Sequence, residues 1–192
     1  MKIAKRILFT FLILLLALGG TGLWLLFGSR TSNPKNYAHI GEIPTPSGYE
    51  RVVGTNPGYT QFLRALSLKP KGSKVHLYTG GKAFFQPMNY AVVDLPLLSN
   101  AEQCADACMR LRAEYFYQTG QYNNIQFQDV NGHTLRYRGG ASREALHRYL
   151  RHLYGVASTF SLSREMQPRT LAEIQPGDVF VYPGEGQFLG HA

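Results

Sequence analysis

The stretch SNAEQCADACMRLRAEY, residues 99–115, carries the strongest helical signal in the chain, and IQFQDVNGHTLRYR, residues 125–138, carries the clearest hairpin. Ser99 with Glu102 fits a capping box, in which each residue satisfies a free N–H of the other. Acidic Glu102 and Asp106 lie early and Arg110 and Arg112 late, which complements the helix dipole. Asp106–Arg110 and Arg110–Glu114 stand four apart and are expected as solvent-side pairs. Cys104, Cys108, Leu111 and Tyr115 share one face. In the second stretch, Ile125, Phe127, Leu135 and Tyr137 alternate about Asn131-Gly132, a dipeptide suited to a type I′ turn. A helix beside a local hairpin predicts an α+β fold.

Working outward, residues 143–156 are helical by period, with Leu146, Leu150, Leu153 and Tyr154 on one face. Arg143, His147, Arg148 and Arg151 make the other face basic, which reads either as a solvated surface or as a polyanion contact. Residues 59–66 predict a short helix, with Phe62, Leu63 and Leu66 on one side. Residues 74–78, 90–95 and 178–182 predict strands, the second buried around a single charge, Asp94. Glu114 with Asp94 is a conceivable acid pair. Residues 184–190 form a glycine-rich turn.

The remaining sequence bounds location and class. Of 192 residues, 44% are hydrophobic, with 12 Tyr and 11 Phe, a composition that excludes disorder, collagen and coiled coil. Lys2, Lys5 and Arg6 precede an uncharged apolar run from Ile7 to Phe27, and Arg30 follows it. About 20 apolar residues suffice to span a bilayer. Residues 1–30 therefore read either as a cleaved secretory signal or as an uncleaved transmembrane anchor. Either way the rest of the chain is expected beyond the membrane, secreted or anchored in the cell envelope, with the membrane as a partner of the N-terminal helix. Residues 31–47, rich in Pro and small polar residues, read as a linker. The whole chain has a formal charge of +8, but the part after residue 30 has 16 basic and 12 acidic residues, a mild +4. No nucleic-acid partner is expected on that balance.

Chemistry centres on the cysteines. Two cysteines make neither a disulfide scaffold nor a Cys-rich zinc site. At positions i and i+4 of one helix they do not converge for a disulfide. No His or Cys lies nearby at ligand spacing, so no metal and no cofactor is expected. Cys108 reads as a small core hydrophobe. Cys104 admits the same reading, but it also lies near a helix start, where backbone dipoles stabilise a thiolate. By the Ser99 capping box it would fall in the second turn. His76, His133, His147 and His152 pair with no carboxylate at a metal-binding spacing.

The segments CADACMRLRAEY, KPKGSKVHLYTG, AVVDLPL, STFSLSRE and IQPGDVFVYPG, with the final GHA, resemble domain-of-unknown-function family 4846, which comprises bacterial, mostly exported proteins. The resemblance covers residues 48–192. A more distant likeness is to NlpC-type papain-like cysteine peptidases. In these a Cys opens a helix, a Gly-Asp begins a later strand, and a His follows the next turn. Cys104, Gly177-Asp178 and His191 occur here in that order. The likeness implies Cys104 as nucleophile and His191 as base, acting as a hydrolase or amidase on a cell-wall peptide or glycopeptide. It also implies a helix carrying the Cys packed on an antiparallel sheet. The alternative is a non-catalytic envelope binding or structural module, with Cys104 buried among Leu111 and Tyr115 and no cleft beside it. A strand and turn ending in Gly190-His191-Ala192 should feed a further apolar strand. The domain is therefore expected to be a C-terminally truncated member, lacking a residue to orient His191. No oligomeric state follows from the sequence.

Overall fold

The structure, a computed structural model, describes residues 36–84, 86 and 89–182. The apolar run of residues 7–27, the glycine-rich turn of residues 184–190 and His191 lie outside these. Among the described residues no helix is long and apolar enough to cross a membrane. The chain divides into two compact units.

The first unit contains residues 36–38 and 68–93. It is held by short backbone contacts rather than by a ladder. Leu68 bridges Val93, with Lys69 N donating to Val92 O at 2.8 Å. His76 bridges Lys82 across a turn in which Gly80 has φ +85°. The Gln86 side chain closes this loop, accepting from Val75 N at 3.0 Å and donating to Val75 O at 2.9 Å. The strands expected over 74–78 and 90–95 are thus single bridges. Their alternation is real, but among the described residues no neighbouring strand extends the pairing and none of the unit is buried. Asp94, at the start of the next segment, is exposed rather than enclosed.

The second unit contains residues 39–67 and those from Asp94 onward. Its helices are α1 (Pro57–Arg64), α2 (Cys104–Gln118), α3 (Arg143–Val156) and α4 (Thr159–Glu165). Between α2 and α3 lie β1 (Gln126–Gln128) and β2 (Thr134–Arg136), a two-stranded antiparallel sheet in which Phe127 faces Leu135. This is the expected α+β architecture. Part of the stretch read as a linker is ordered: Ile40–Glu42 forms one 3-10 turn.

Local chemistry fixes the element ends. The Asn56 side chain accepts from Tyr59 N at 3.0 Å, and Pro57 opens α1, where its missing N–H costs nothing. Ser142 caps α3 through Ala145 N at 3.2 Å. The hairpin turn differs from the expected type I′. Asn131 keeps a negative φ, Gly132 alone is left-handed at +87°, and Gly132 N donates to Asp129 O at 3.0 Å. Asp129 selects this longer turn, because its Oδ1 accepts from both Asn131 N and His133 N at 2.9 and 2.8 Å.

The core joins Ala105, Met109 and Ala113 of α2 to Ile125, Phe127 and Tyr137 of the hairpin region, with Leu146, Leu150 and Leu153 of α3 and Leu162 of α4. The cysteine helix therefore packs against the hairpin on one side and α3 on another. Residues 178–182 are not part of the sheet among the described residues. Their exposure alternates, with Val179 and Val181 half-buried and Phe180 76% exposed. That is the period of a strand with one face covered.

Candidate functional site

The helix that carries both cysteines begins four residues later than the capping box at Ser99 implied. Its N-cap is Gln103, whose N–H donates to Asp106 Oδ2 at 2.9 Å. Cys104 is consequently the first residue of α2, not a member of its second turn, and its side chain is exposed. The N–H groups of a first helical turn have no acceptor within the helix. Ser99 and Glu102 serve the preceding loop instead. Ser99 Oγ accepts from Ala101 N at 3.2 Å, and Glu102 Oε2 accepts from Leu98 N at 2.9 Å.

That loop is clamped from inside α2. Arg110 donates to Glu102 Oε1 and to Pro96 O, both at 2.8 Å, and both charged side chains are 4% exposed. Asp106, Arg110 and Glu114 were expected on the solvent side as i, i+4 pairs, yet all three are buried. Glu114 pairs with Arg143 of α3 rather than with Arg110 or Asp94. The reason is tertiary: α2 is covered on this side as well, so its charges find partners from the approaching loop and from α3. Three atoms in this buried polar layer, Asp106 Oδ1, Arg110 Nε and Tyr154 Oη, have no hydrogen-bond partner among the described residues.

Cys108 lies one turn after Cys104 on the same side of α2 and is half-buried. It borders the core and lines a cleft of ≈600 Å³. Burial pushes its thiol up, and neighbouring Cys104 pushes it further. The two thiols are thereby distinguished: one exposed at a helix start, one held protonated in a cleft wall.

The Gly177-Asp178 segment lines the same cleft. Gly177, at φ +99°, makes the turn from Gln175 to Asp178. Asp178 N donates to Gln175 O, and Gln175 N to Asp178 Oδ2, both at 3.1 Å. Gln175 Oε1 then accepts from Thr55 N and Oγ1 at 2.7 and 2.6 Å, tying the turn to the start of α1. Cys108 and the Gly-Asp segment, which the sequence set far apart, line one depression; Cys104, one turn earlier on α2, is not part of its lining. Glu165 of α4 also borders it, with its carboxyl raised by burial against a hydrogen bond from Gln128 N. Sequence reasoning missed Tyr59, Arg112 and Glu165 here, because only packing brings three helices to one cleft. His191, the expected base, lies outside the described residues. No group of metal-binding side chains occurs among the described residues.

The family model described as "Domain of unknown function (4846)" matches residues 41–140, a stretch that includes the whole of the cysteine helix and the hairpin. No curated protein and no solved structure matches the chain.

Proposed function

We propose, from the premise that the chain belongs to domain-of-unknown-function family 4846, that it is a cysteine hydrolase or amidase of the bacterial cell envelope, with Cys104 as nucleophile and His191 as base. One observation carries the reading: Cys104 is the exposed first residue of α2. A nucleophilic thiol needs access to substrate, and the exposure of Cys104 supplies it. The N–H groups of Cys104 and Ala105, which have no acceptor within the helix, are suited to hold the oxyanion of an acyl-transfer intermediate, the Asp106 N–H being taken by the Gln103 side chain. The cleft on the same side of α2 offers room for a short peptide, within the roughly 300–1,000 Å³ usual for ligand sites. The apolar run of residues 7–27, long enough to span a bilayer, supports a location at or beyond a membrane, where cell-wall peptides occur.

Timed alkylation with iodoacetamide, read by peptide mass spectrometry, tests the assignment of the thiols. Cys104 is expected to label first and Cys108 slowly. Equal labelling, or faster labelling of Cys108, would overturn it. Against purified cell-wall peptides, Cys104→Ser is expected to lose activity by about a thousandfold or more, while Cys108→Ser keeps most of it.

A further inference from the structure

We propose that the cleft beside Cys108 is a binding site for the free carboxylate of a peptide, and that Arg112 is the residue that receives it. The inference deepens the proposed function by saying what the peptide must carry. It rests on that function only for the word peptide.

Two arginines line the cleft, Arg112 and Arg169. Arg169 has a carboxylate 3.6 Å away, that of Asp178. Arg112 has none among the described residues, and its guanidinium forms no hydrogen bond with them. Elsewhere on the unit Arg110, Arg143 and Arg148 each hold an acid, while Arg138, Arg151 and Arg164 hold none among the described residues; Arg112 differs from these three in lining the cleft. What holds Arg112 is aromatic. Its guanidinium carbon lies 4.3 Å from the ring centre of Phe116, 4.9 Å from that of Tyr59 and 5.9 Å from that of Tyr115.

This platform is built in, not incidental. Tyr59 and Tyr115 pack with ring centres 5.1 Å apart. A Cβ on Gly58 would stand 2.8 Å from Tyr115 Oη, and one on Gly177 would stand 2.9 Å from the Tyr59 ring. The rings occupy space that two glycines leave open. A guanidinium stacked on aromatic faces keeps its N–H fork free at the edge, and that fork matches the two oxygens of a carboxylate. Stacking also holds the cation in one orientation, so less freedom is lost on binding. Asn124 and Gln126 border the same cleft; Asn124 Nδ2 already donates to Gln121 and Gln126 Oε1 already accepts from Arg136, which leaves Asn124 Oδ1 and Gln126 Nε2 for a peptide backbone.

The experiment uses the full chain with Cys104→Ala, so that binding is read apart from hydrolysis and stands or falls separately from the nucleophile assignment. Calorimetric titration compares the synthetic peptide Ala-Glu-Lys-Ala as free acid with an analogue carrying Gln for Glu and a C-terminal amide. The free acid is expected to bind about tenfold more tightly or better, as charge-assisted bonding implies. Arg112→Gln is expected to erase that preference. Arg112→Lys, which keeps charge and stem, should keep a weakened one. Circular dichroism melting identifies variants that fold. No binding of the free acid at millimolar concentration, equal affinity for the two peptides, or a preference that survives Arg112→Gln would each overturn the proposal. Displacement of the free-acid peptide by an equal concentration of inorganic phosphate would overturn it too, leaving a general anion site.

Discussion

Asp106 illustrates how one residue does two jobs with opposed electrostatic demands. Its Oδ2 accepts from Gln103 N and fixes the start of α2, directly beside Cys104. Its Oδ1 is buried without a hydrogen-bond partner among the described residues. Burial pushes the carboxyl up, the Gln103 N–H pulls it down, and nearby Glu102 adds to the rise. A carboxyl raised on folding binds more protons folded than unfolded between its ordinary value and its raised one. Stability therefore falls as pH rises through that window, and the cost is fully present above it. Asp106→Asn keeps an acceptor for Gln103 N and removes the charge. Thermal denaturation from about pH 4 to about pH 8 is expected to show a higher melting temperature for Asn at neutral pH, with a flatter dependence on pH. Identical pH profiles for the two proteins would remove Asp106 from this account. The sequence identified Asp106 as an early-helix acid but placed it in solvent. Spacing tells which residues share a face and not which faces are covered.

Among the elements, the hairpin and α3 show how one substitution can carry opposite signs. Gly132 needs its left-handed φ of +87° to complete the turn from Asp129. Gly155, near the end of α3, has a helical backbone and open space where a Cβ would go. Gly132→Ala is expected to destabilise by about 1–2 kcal/mol through left-handed strain. Gly155→Ala is expected to stabilise by roughly 0.5–1 kcal/mol through helix propensity. Urea denaturation of the two variants measures both, and a common sign would contradict the turn described. The period of 143–156 located α3 to the residue, because its Leu spacing matches a helix buried on one side. The start of α2 was misplaced because Ser99 and Glu102 have the right spacing for a cap. Their side chains instead serve the loop that Arg110 holds. The competition between two nearby caps was decided by a residue on the next turns of the helix.

For the whole molecule, the two units differ in what holds them. In the second, eleven hydrophobic residues of three helices and the hairpin region are buried together. In the first, no described residue is buried, and Phe84 is 99% exposed. Local opening is easiest where few apolar contacts must be broken. Hydrogen exchange is accordingly expected to show fast amides over residues 68–93 and slow ones around Met109, Leu146 and Leu150. Equal protection in both would contradict this division. The sequence by itself determined the α+β class, the α3 boundaries, the presence of a hairpin and the resemblance to family 4846. Each of these is written in local periodicity, turn residues or shared motifs. Only the tertiary structure decided that Cys104 is the exposed first residue of α2, and that Asp106, Arg110 and Glu114 are buried. It alone brought Cys108, Arg112 and the Gly177-Asp178 turn to one cleft. Those facts depend on which surfaces of α2 are covered by distant segments, and a helix of mixed character offers no single apolar stripe from which to read that cover.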